Sequence, residues 1–260
     1  MSVIKGSISK KTSGFKKFLP LYSDIEEVLM TEGISDIIHC ASVMPSSYES
    51  ATYEDIFLPN IEMMNNLYKF ALRSEVKRFI YISGFGTVSF EPEFKIEDFY
   101  SFSKLCGEHF VSLLKSKGIC ASSLRISAPY GEYLERQNVI NNFVNKALKN
   151  EDITLFGSGK REQNFIYAGD IFRAINLFLN SDTSGTYNIV ASKNISMLEL
   201  ANIIVDLTNS NSNIVHADIE DPQENFRPNY DYLRTSQELG FIAETEIEEG
   251  LKKYIEWLRK

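Results

Sequence analysis

The sequence contains one Tyr-x-x-x-Lys pair, Tyr100 and Lys104, whose side chains can carry acid–base chemistry. On a helix, residues four apart lie on the same face. A lysine ammonium beside a phenol stabilises the phenolate and lowers a pKa that is ordinarily about 10. Such a phenol suits proton transfer with a sugar hydroxyl or ketone. Because random placement of 13 Tyr and 18 Lys gives about one such pair in 260 residues, an ordinary amphipathic helix is an equally good interpretation of the pair alone.

The elements around the pair alternate between strand and helix. Lys77 to Ser83 is a continuous β-rich run, typical of a strand buried on both faces, and residues 121–126 form a second such run. A helix from about Tyr100 to Lys117 is predicted between them, with a strand over 36–41 and a helix over 56–74 before them. This alternation predicts a parallel α/β sheet. The other predicted elements are helices over 24–31, 139–148, 170–179, 197–208 (capped by Ser196) and 246–258, and a strand over 185–190. Residues 153–156 run into a turn at 157–159, and residues 164–167 precede the helix that ends at 179.

Composition excludes several classes of protein. The net charge of −8 without a long basic run argues against nucleic acid as a partner. The three cysteines and three histidines are scattered, so no metal site is predicted and a reducing cytoplasm is expected. No apolar run is long enough for a membrane span, and the first residues lack a signal-peptide core.

Several short segments occur in a recognisable order along the chain. They are His39-Cys40-Ala41-Ser42, Asn60, Phe79 to Ser83, Tyr100 with Lys104 and Glu108, Leu124 to Gly131, Phe156 to Asp170, Phe226-Arg227-Pro228, and Glu238 to Phe241. This series resembles the extended short-chain dehydrogenase/reductase family, in particular its NAD-dependent nucleotide-sugar epimerase/dehydratase branch. The resemblance covers nearly all of residues 24 to 260.

The resemblance implies a mechanism and a set of site residues. Tyr100 would be the acid/base at a substrate hydroxyl, and Lys104 would hold the nicotinamide ribose and lower the pKa of the tyrosine. A hydride would pass from a sugar carbon to NAD or NADP and return after epimerisation or loss of water. The catalytic residues are predicted as Tyr100, Lys104 and, for the hydroxyl group, Ser83 or Thr87; the cofactor-binding residues as His39, Cys40, Ala41, Asn60, Ser83, Tyr100, Lys104 and Pro129; and the substrate-binding residues as Arg161, Gln163 and Arg227.

The chain departs from the family pattern at three of these positions. Phe85 stands where the catalytic hydroxyl is expected, Gln163 precedes Asn164 where relatives often carry Arg-Asp, and Ala128 replaces an asparagine. Arg161 and Arg227 are predicted to bind a nucleotide diphosphate because a forked guanidinium matches phosphate oxygens. The alternative for each is a solvated surface arginine.

The largest departure is the absence of the Gly-x-x-Gly-x-x-Gly turn that brings backbone amides to a cofactor pyrophosphate. About 40 to 60 residues of the family's first βαβ unit are therefore expected to be missing, through a misplaced start or a natural truncation. The loss should expose an edge of the strand at Ile37, to be covered by residues 1–20 or another subunit.

The predicted fold class is α/β: a truncated Rossmann-like parallel sheet with a smaller C-terminal α/β substrate domain. Residues 1–128, with 163–192 returning, are assigned to the truncated cofactor domain, and residues 129–162 and 193–260 to the substrate domain. A nucleotide sugar is the expected substrate, and a homodimer the expected assembly. The competing interpretations are a non-catalytic family member that binds a sugar nucleotide or serves as a scaffold, and a Rossmann-like binder with a chance Tyr/Lys pair.

Overall fold

The computed structural model describes residues 34–46, 50–87, 98–134 and 138–260, so the helix predicted over 24–31 lies outside the described part. The strands are β1 Asp36–His39, β2 Arg78–Gly84, β3 Cys120–Ile126, β4 Ala128–Tyr130, β5 Ile153–Leu155, β6 Glu162–Gln163, β7 Phe165–Tyr167, β8 Gly185–Ile189, β9 Ile195–Ser196 and β10 Ile214–His216. The α-helices are α1 Leu58–Arg73, α2 Phe99–Ser116, α3 Val139–Leu148, α4 Ala168–Leu179, α5 Met197–Thr208, α6 Leu233–Leu239 and α7 Ile247–Leu258.

The chain divides into two compact units. The first comprises Met1–Arg125 and Phe178–Tyr187, and the second Ile126–Leu177 and Asn188–Lys260. The predicted assignment of 1–128 with 163–192 to the cofactor domain, and of 129–162 and 193–260 to the substrate domain, stays a prediction.

The first unit contains a four-stranded sheet in the order β1-β2-β3-β8. β1 and β2 are parallel, with Ile37 opposite Phe79 and His39 opposite Tyr81. Phe79, Ile80 and Tyr81 are all buried, as expected for a strand covered on both faces. Among the described residues, β1 has a neighbouring strand on one side only.

Two helices cover part of this sheet and fix the position of α2. Met64 and Phe70 of α1 pack with Tyr81 of β2 and with Val111 and Leu114 of α2 in one core cluster. Burial of apolar side chains at three- to four-residue spacing holds each helix by one face. The rotation of α2 about its axis is therefore set by the sheet beneath it.

The second unit has a separate core. Tyr130 of β4, Phe143 of α3, Leu200 of α5 and Tyr254 of α7 belong to one buried cluster. β4 pairs in parallel with β7, and β6 pairs antiparallel with β9. The N-cap predicted at Ser196 is confirmed, because its side chain accepts from Glu199 N–H in a capping box. No helix within the described ranges has both the length and the apolar character needed to cross a membrane.

Candidate active site

The first turn of α2 carries Tyr100, and a side-chain cap fixes where that turn begins. Asp98 lies in extended conformation before the helix and accepts hydrogen bonds from Ser101 N–H (2.8 Å) and from Ser101 Oγ (2.8 Å). A carboxylate at this position also interacts favourably with the helix dipole. With the start fixed, Tyr100 and Lys104 occupy successive turns of one helix.

Lys104 is buried at the sheet, with 7% of its surface exposed. Its ammonium donates to the carbonyl of Ile82 (3.0 Å) and lies 5.1 Å from the ring centroid of Tyr81 and 5.7 Å from that of Tyr100. Burial lowers the pKa of Lys104 to about 8, opposed by the nearby Cys40. The amine is thus mostly charged at neutral pH, where it attracts negative charge on the Tyr100 phenol.

The Lys104 amine lies over the ring of Tyr81, which stacks on the ring of His39. Their rings stack at 5.5 Å between centroids, and both residues are buried. Burial, and then the charge of Lys104, lower the pKa of His39 to about 3, so that its imidazole is neutral. Burial raises the pKa of Tyr81 above its ordinary range, with Tyr100 and Glu108 adding to the effect. The stacked pair of rings beside the Lys104 cation is therefore uncharged.

Asn60 holds the segment that follows β1. Its Oδ1 accepts from Val43 N–H (2.7 Å), and its Nδ2 donates to Val43 O (3.0 Å) and to Ser103 Oγ (3.1 Å) on α2. Cys40 and Ala41, at the carboxyl end of β1, are exposed. The structure thus ties this segment to α2 and leaves both residues exposed.

Ser83 is buried, and its hydroxyl donates to Glu108 Oε1 (2.7 Å). Glu108 also receives two hydrogen bonds from Arg125, from Nε to Oε1 (2.9 Å) and from a terminal nitrogen to Oε2 (2.6 Å). The Ser83 hydroxyl is therefore already engaged within the protein. Thr87 ends the 3₁₀ turn Phe85–Thr87, and a catalytic role for it stays a prediction.

The remaining predicted site residues belong to the second unit. Pro129 lies in β4 opposite Ile166 of β7. Arg161 donates to Gln223 Oε1 (3.0 Å), and its Nε lies 3.2 Å from Asp221 Oδ2, an ion-pair distance without hydrogen-bond geometry. Arg227 pairs with Glu162 (3.0 Å).

Strand pairing and backbone contacts connect these substrate candidates. Gln163 lies in β6, opposite Ile195 of β9. Glu162 of the same strand donates its N–H to Phe226 O (3.1 Å), which joins β6 to the residue before Arg227. The three substrate candidates thus lie in β6 or next to it. The guanidinium of each arginine has a carboxylate partner from this chain.

Sequence reasoning missed the partners of these residues more than the residues themselves. Tyr81 was visible only as part of an apolar strand, and Glu108 only as a residue one turn after Lys104. The Arg125 pairing had no sequence signal. No group of three or more metal-ligating side chains occurs within 34–46, 50–87, 98–134 or 138–260.

A model of the NAD dependent epimerase/dehydratase family matches residues 19–190, more than half of the chain. The chain belongs to the NAD dependent epimerase/dehydratase family. The family predicted from the collinear motifs is thereby confirmed.

Two curated members of the epimerase/dehydratase family illustrate the range of relatives. The chain is 27% identical to a provisionally named UDP-glucose 4-epimerase of Methanocaldococcus jannaschii, over 91% of this chain and 81% of that protein. It is 24% identical to UDP-glucuronic acid decarboxylase 1 of Xenopus tropicalis, over 95% of this chain and 62% of that protein.

A solved structure shows the same fold. UDP-glucose 4-epimerase of Thermotoga maritima, crystallised with UDP-glucose, superposes with a TM-score of 0.82 at 20% identity, covering 94% of this chain and 84% of that one. The predicted α/β class with a Rossmann-like parallel sheet is confirmed by this similarity and by the order of the strands.

Proposed function

We propose that this protein transfers a hydride on a nucleotide sugar, in a reaction of the epimerase or dehydratase type, with NAD or NADP as cofactor. The observation that carries the proposal is the buried Lys104 ammonium, 5.7 Å from the ring centroid of Tyr100, in a chain of the epimerase/dehydratase family. One relative is named a UDP-glucose 4-epimerase and the other a UDP-glucuronic acid decarboxylase, and the solved structure is of a UDP-glucose 4-epimerase with UDP-glucose. A UDP-sugar is therefore the substrate class that we propose.

In this mechanism Tyr100 takes the proton of a sugar hydroxyl and later returns one. The Lys104 charge stabilises the phenolate, and the Ile82 carbonyl holds the amine in place. The cofactor supplies the hydride acceptor and donor. Tyr81 and His39 are neutral, so neither competes with the phenolate for the charge of the amine.

The residues present fit one part of the cofactor. A buried amine near the exposed residues Cys40 and Ala41 suits a ribose and a nicotinamide. The pyrophosphate requires converging backbone amides, and residues 1–260 contain no Gly-x-x-Gly-x-x-Gly turn to present them. Binding of NAD by this chain is therefore the step of the proposal in greatest need of measurement.

For the substrate, we propose that Arg161, Gln163 and Arg227 hold the nucleotide diphosphate. The support is that all three residues lie in β6 or next to it. Asp221 and Glu162 already pair with the two guanidiniums. A bound diphosphate must therefore replace one or both of these carboxylates.

The decisive experiment measures turnover of UDP-glucose with NAD. Tyr100→Phe and Lys104→Met should each lower kcat by about 100-fold or more, because one removes the acid/base and the other its charge. The matched control is Tyr133→Phe, which alters a tyrosine that is 83% exposed in the second unit. Full turnover by Tyr100→Phe would rule the mechanism out.

The second candidate is a non-catalytic member that binds a sugar nucleotide without NAD. The absence of the glycine-rich turn from residues 1–260 favours it. Calorimetry with NAD and with UDP-glucose separates the candidates, because tight NAD binding is incompatible with the second. UDP-glucose binding alone, without turnover, would support it.

A further inference from the structure

A cluster of buried Ser83 and Glu108 with half-buried Arg125 joins three elements of the first unit. Ser83 comes from β2, Glu108 from α2 and Arg125 from β3. Glu108 is 8% exposed and accepts from both other side chains, at 2.6 to 2.9 Å. A carboxylate bound bidentately by a guanidinium inside a protein is a geometrically demanding contact.

This cluster and Lys104 form hydrogen bonds with consecutive residues of β2. Lys104 donates to Ile82 O, and Glu108, one turn further along α2, accepts from Ser83 Oγ. Sliding or rotating α2 along β2 would break both contacts together. The cluster therefore determines whether the Lys104 amine can reach its strand carbonyl.

The cluster also pairs the acidic side chain of the turn that follows Lys104. The groups that face Lys104 are His39 from β1, Cys40 just after it, Tyr81 from β2, and Tyr100 from its own helix. None of these carries a permanent charge. Glu108 is the acidic residue of the adjacent turn, and Arg125 neutralises it by a bidentate ion pair.

We propose that Ser83, Glu108 and Arg125 are positioning residues for Lys104: they lock α2 in the register that places the amine on Ile82 O, and their mutual neutralisation isolates the amine from the Glu108 charge. This inference deepens the proposed function. The catalytic consequence of the positioning role rests on that function, and the positioning role itself does not. It gives the buried Ser83 hydroxyl a role other than contact with substrate.

The test breaks the ion pair from each side and measures the titration of Lys104. Glu108→Gln leaves the Arg125 cation and should move the Lys104 midpoint to lower pH. Arg125→Gln leaves the Glu108 anion and should move it to higher pH. A shift of about half a pH unit or more in each direction is expected for a charge uncovered one helical turn away in a buried site. The readout is the pH dependence of acetylation at Lys104, followed by mass spectrometry of the whole chain.

Opposite shifts separate a positioning role from loss of structure, because general loosening would move both variants toward the midpoint of an exposed lysine. The double variant Glu108→Gln/Arg125→Gln removes both charges and should return the midpoint to within about 0.2 pH units of wild type. Glu238→Gln, which breaks the exposed pair with Arg234, is the control. If a single variant does not fold, Ser83→Ala, which uncovers no charge, replaces it and should increase the acetylation rate at Lys104; an unchanged rate would overturn the positioning role.

Shifts of the same sign, or no shift in folded variants, would overturn the proposal. Acetylation requires neither cofactor nor substrate, so its outcome is independent of turnover. If Tyr100→Phe kept full activity while the two opposite shifts were observed, the proposed function would fail and the positioning role would stand.

Discussion

At the scale of single residues, the central feature is a lysine amine buried against a strand carbonyl. Such a site favours the neutral amine, because desolvation penalises the charge. The carbonyl of Ile82 and the rings of Tyr81 and Tyr100 recover part of that cost. The balance leaves a cation near neutral pH that loses its proton more readily than an exposed lysine.

The lowered pKa of Lys104 predicts how stability changes with pH. The pKa falls from 10.5 to about 8 in the folded chain. Between these values the unfolded chain binds more protons than the folded one, so stability gains a contribution as pH rises through this window, at most about 1.4 kcal/mol per pH unit. Urea unfolding at several pH values should show this gain for wild type and not for Lys104→Met. The exposed-lysine variant Lys69→Met should behave as wild type, and a Lys104→Met curve parallel to wild type would contradict the prediction.

The pairing of Arg161 predicts a gain of affinity from a single substitution. Asp221→Asn removes the charge that faces Arg161 but keeps the Oδ1 that accepts from Gln223 N–H (2.9 Å). UDP should then bind about threefold to tenfold more tightly, because its phosphates no longer compete with a carboxylate. Calorimetry measures the change, with Glu238→Gln as the control. Unchanged or weaker binding would remove Arg161 from the phosphate site.

At the scale of elements, α2 connects the sheet to the chemistry. Its buried face runs through Ser103, Lys104, Glu108, Val111 and Leu114. The apolar end of this face packs in the core, and the polar end reaches the carboxyl ends of the strands. Packing of one helix in the core thus sets the position of the Tyr100 phenol.

The cap of α2 predicts separate effects on stability and on catalysis. Asp98→Ala should cost about 1 kcal/mol and loosen the turn that holds Tyr100, so kcat should fall as well. Asn138 caps α3 in the second unit in the same way, by accepting from Asn141 N–H (2.8 Å). Asn138→Ala should therefore cost similar stability without affecting Tyr100. Urea unfolding and turnover measure the two effects, and equal losses of kcat in both variants would contradict this assignment.

Local patterns predicted these elements well and their mutual contacts poorly. The predicted strand from Lys77 to Ser83 and the predicted helix from about Tyr100 agree with β2 and α2 to within a few residues. Burial on both faces of a strand and the apolar spacing of a helix each produce a recognisable sequence pattern. β1 ends at His39, two residues before the predicted end, because the following segment bonds to Asn60. Contacts such as Arg125 with Glu108 and Arg161 with Asp221 join distant positions, and no local pattern encodes them.

At the scale of the whole molecule, the described chain presents an aromatic surface on its first unit. Tyr53, Phe57, Phe99 and Phe102 contact one another, with Phe57 and Phe102 stacked at 4.9 Å between centroids. Tyr53, Phe99 and Phe102 are each about 40% exposed. Exposed apolar clusters of this kind often mark association sites.

The homodimer expected from the family resemblance would use this aromatic surface. Sedimentation velocity should show a dimer for wild type and a shift to monomer for Phe102→Lys, because a buried lysine would face its symmetry mate or neighbouring rings. Phe172→Lys alters a ring that is 73% exposed in the second unit and should leave the dimer intact. A monomeric wild-type protein would contradict this prediction.

The one-sided pairing of β1 divides its amides into two classes for hydrogen exchange. Arg78 N–H donates to Ser35 O (3.2 Å), and the parallel register directs Ile37 and His39 toward β2 as well. Asp36 and Ile38, between them, direct their N–H groups to the opposite edge. Within the described sheet, slow and fast exchange should therefore alternate from one residue to the next. Slow exchange at all four positions would reveal an additional strand on that edge. The exchange rate of the Ile38 amide therefore reports directly on pairing at the second edge of β1.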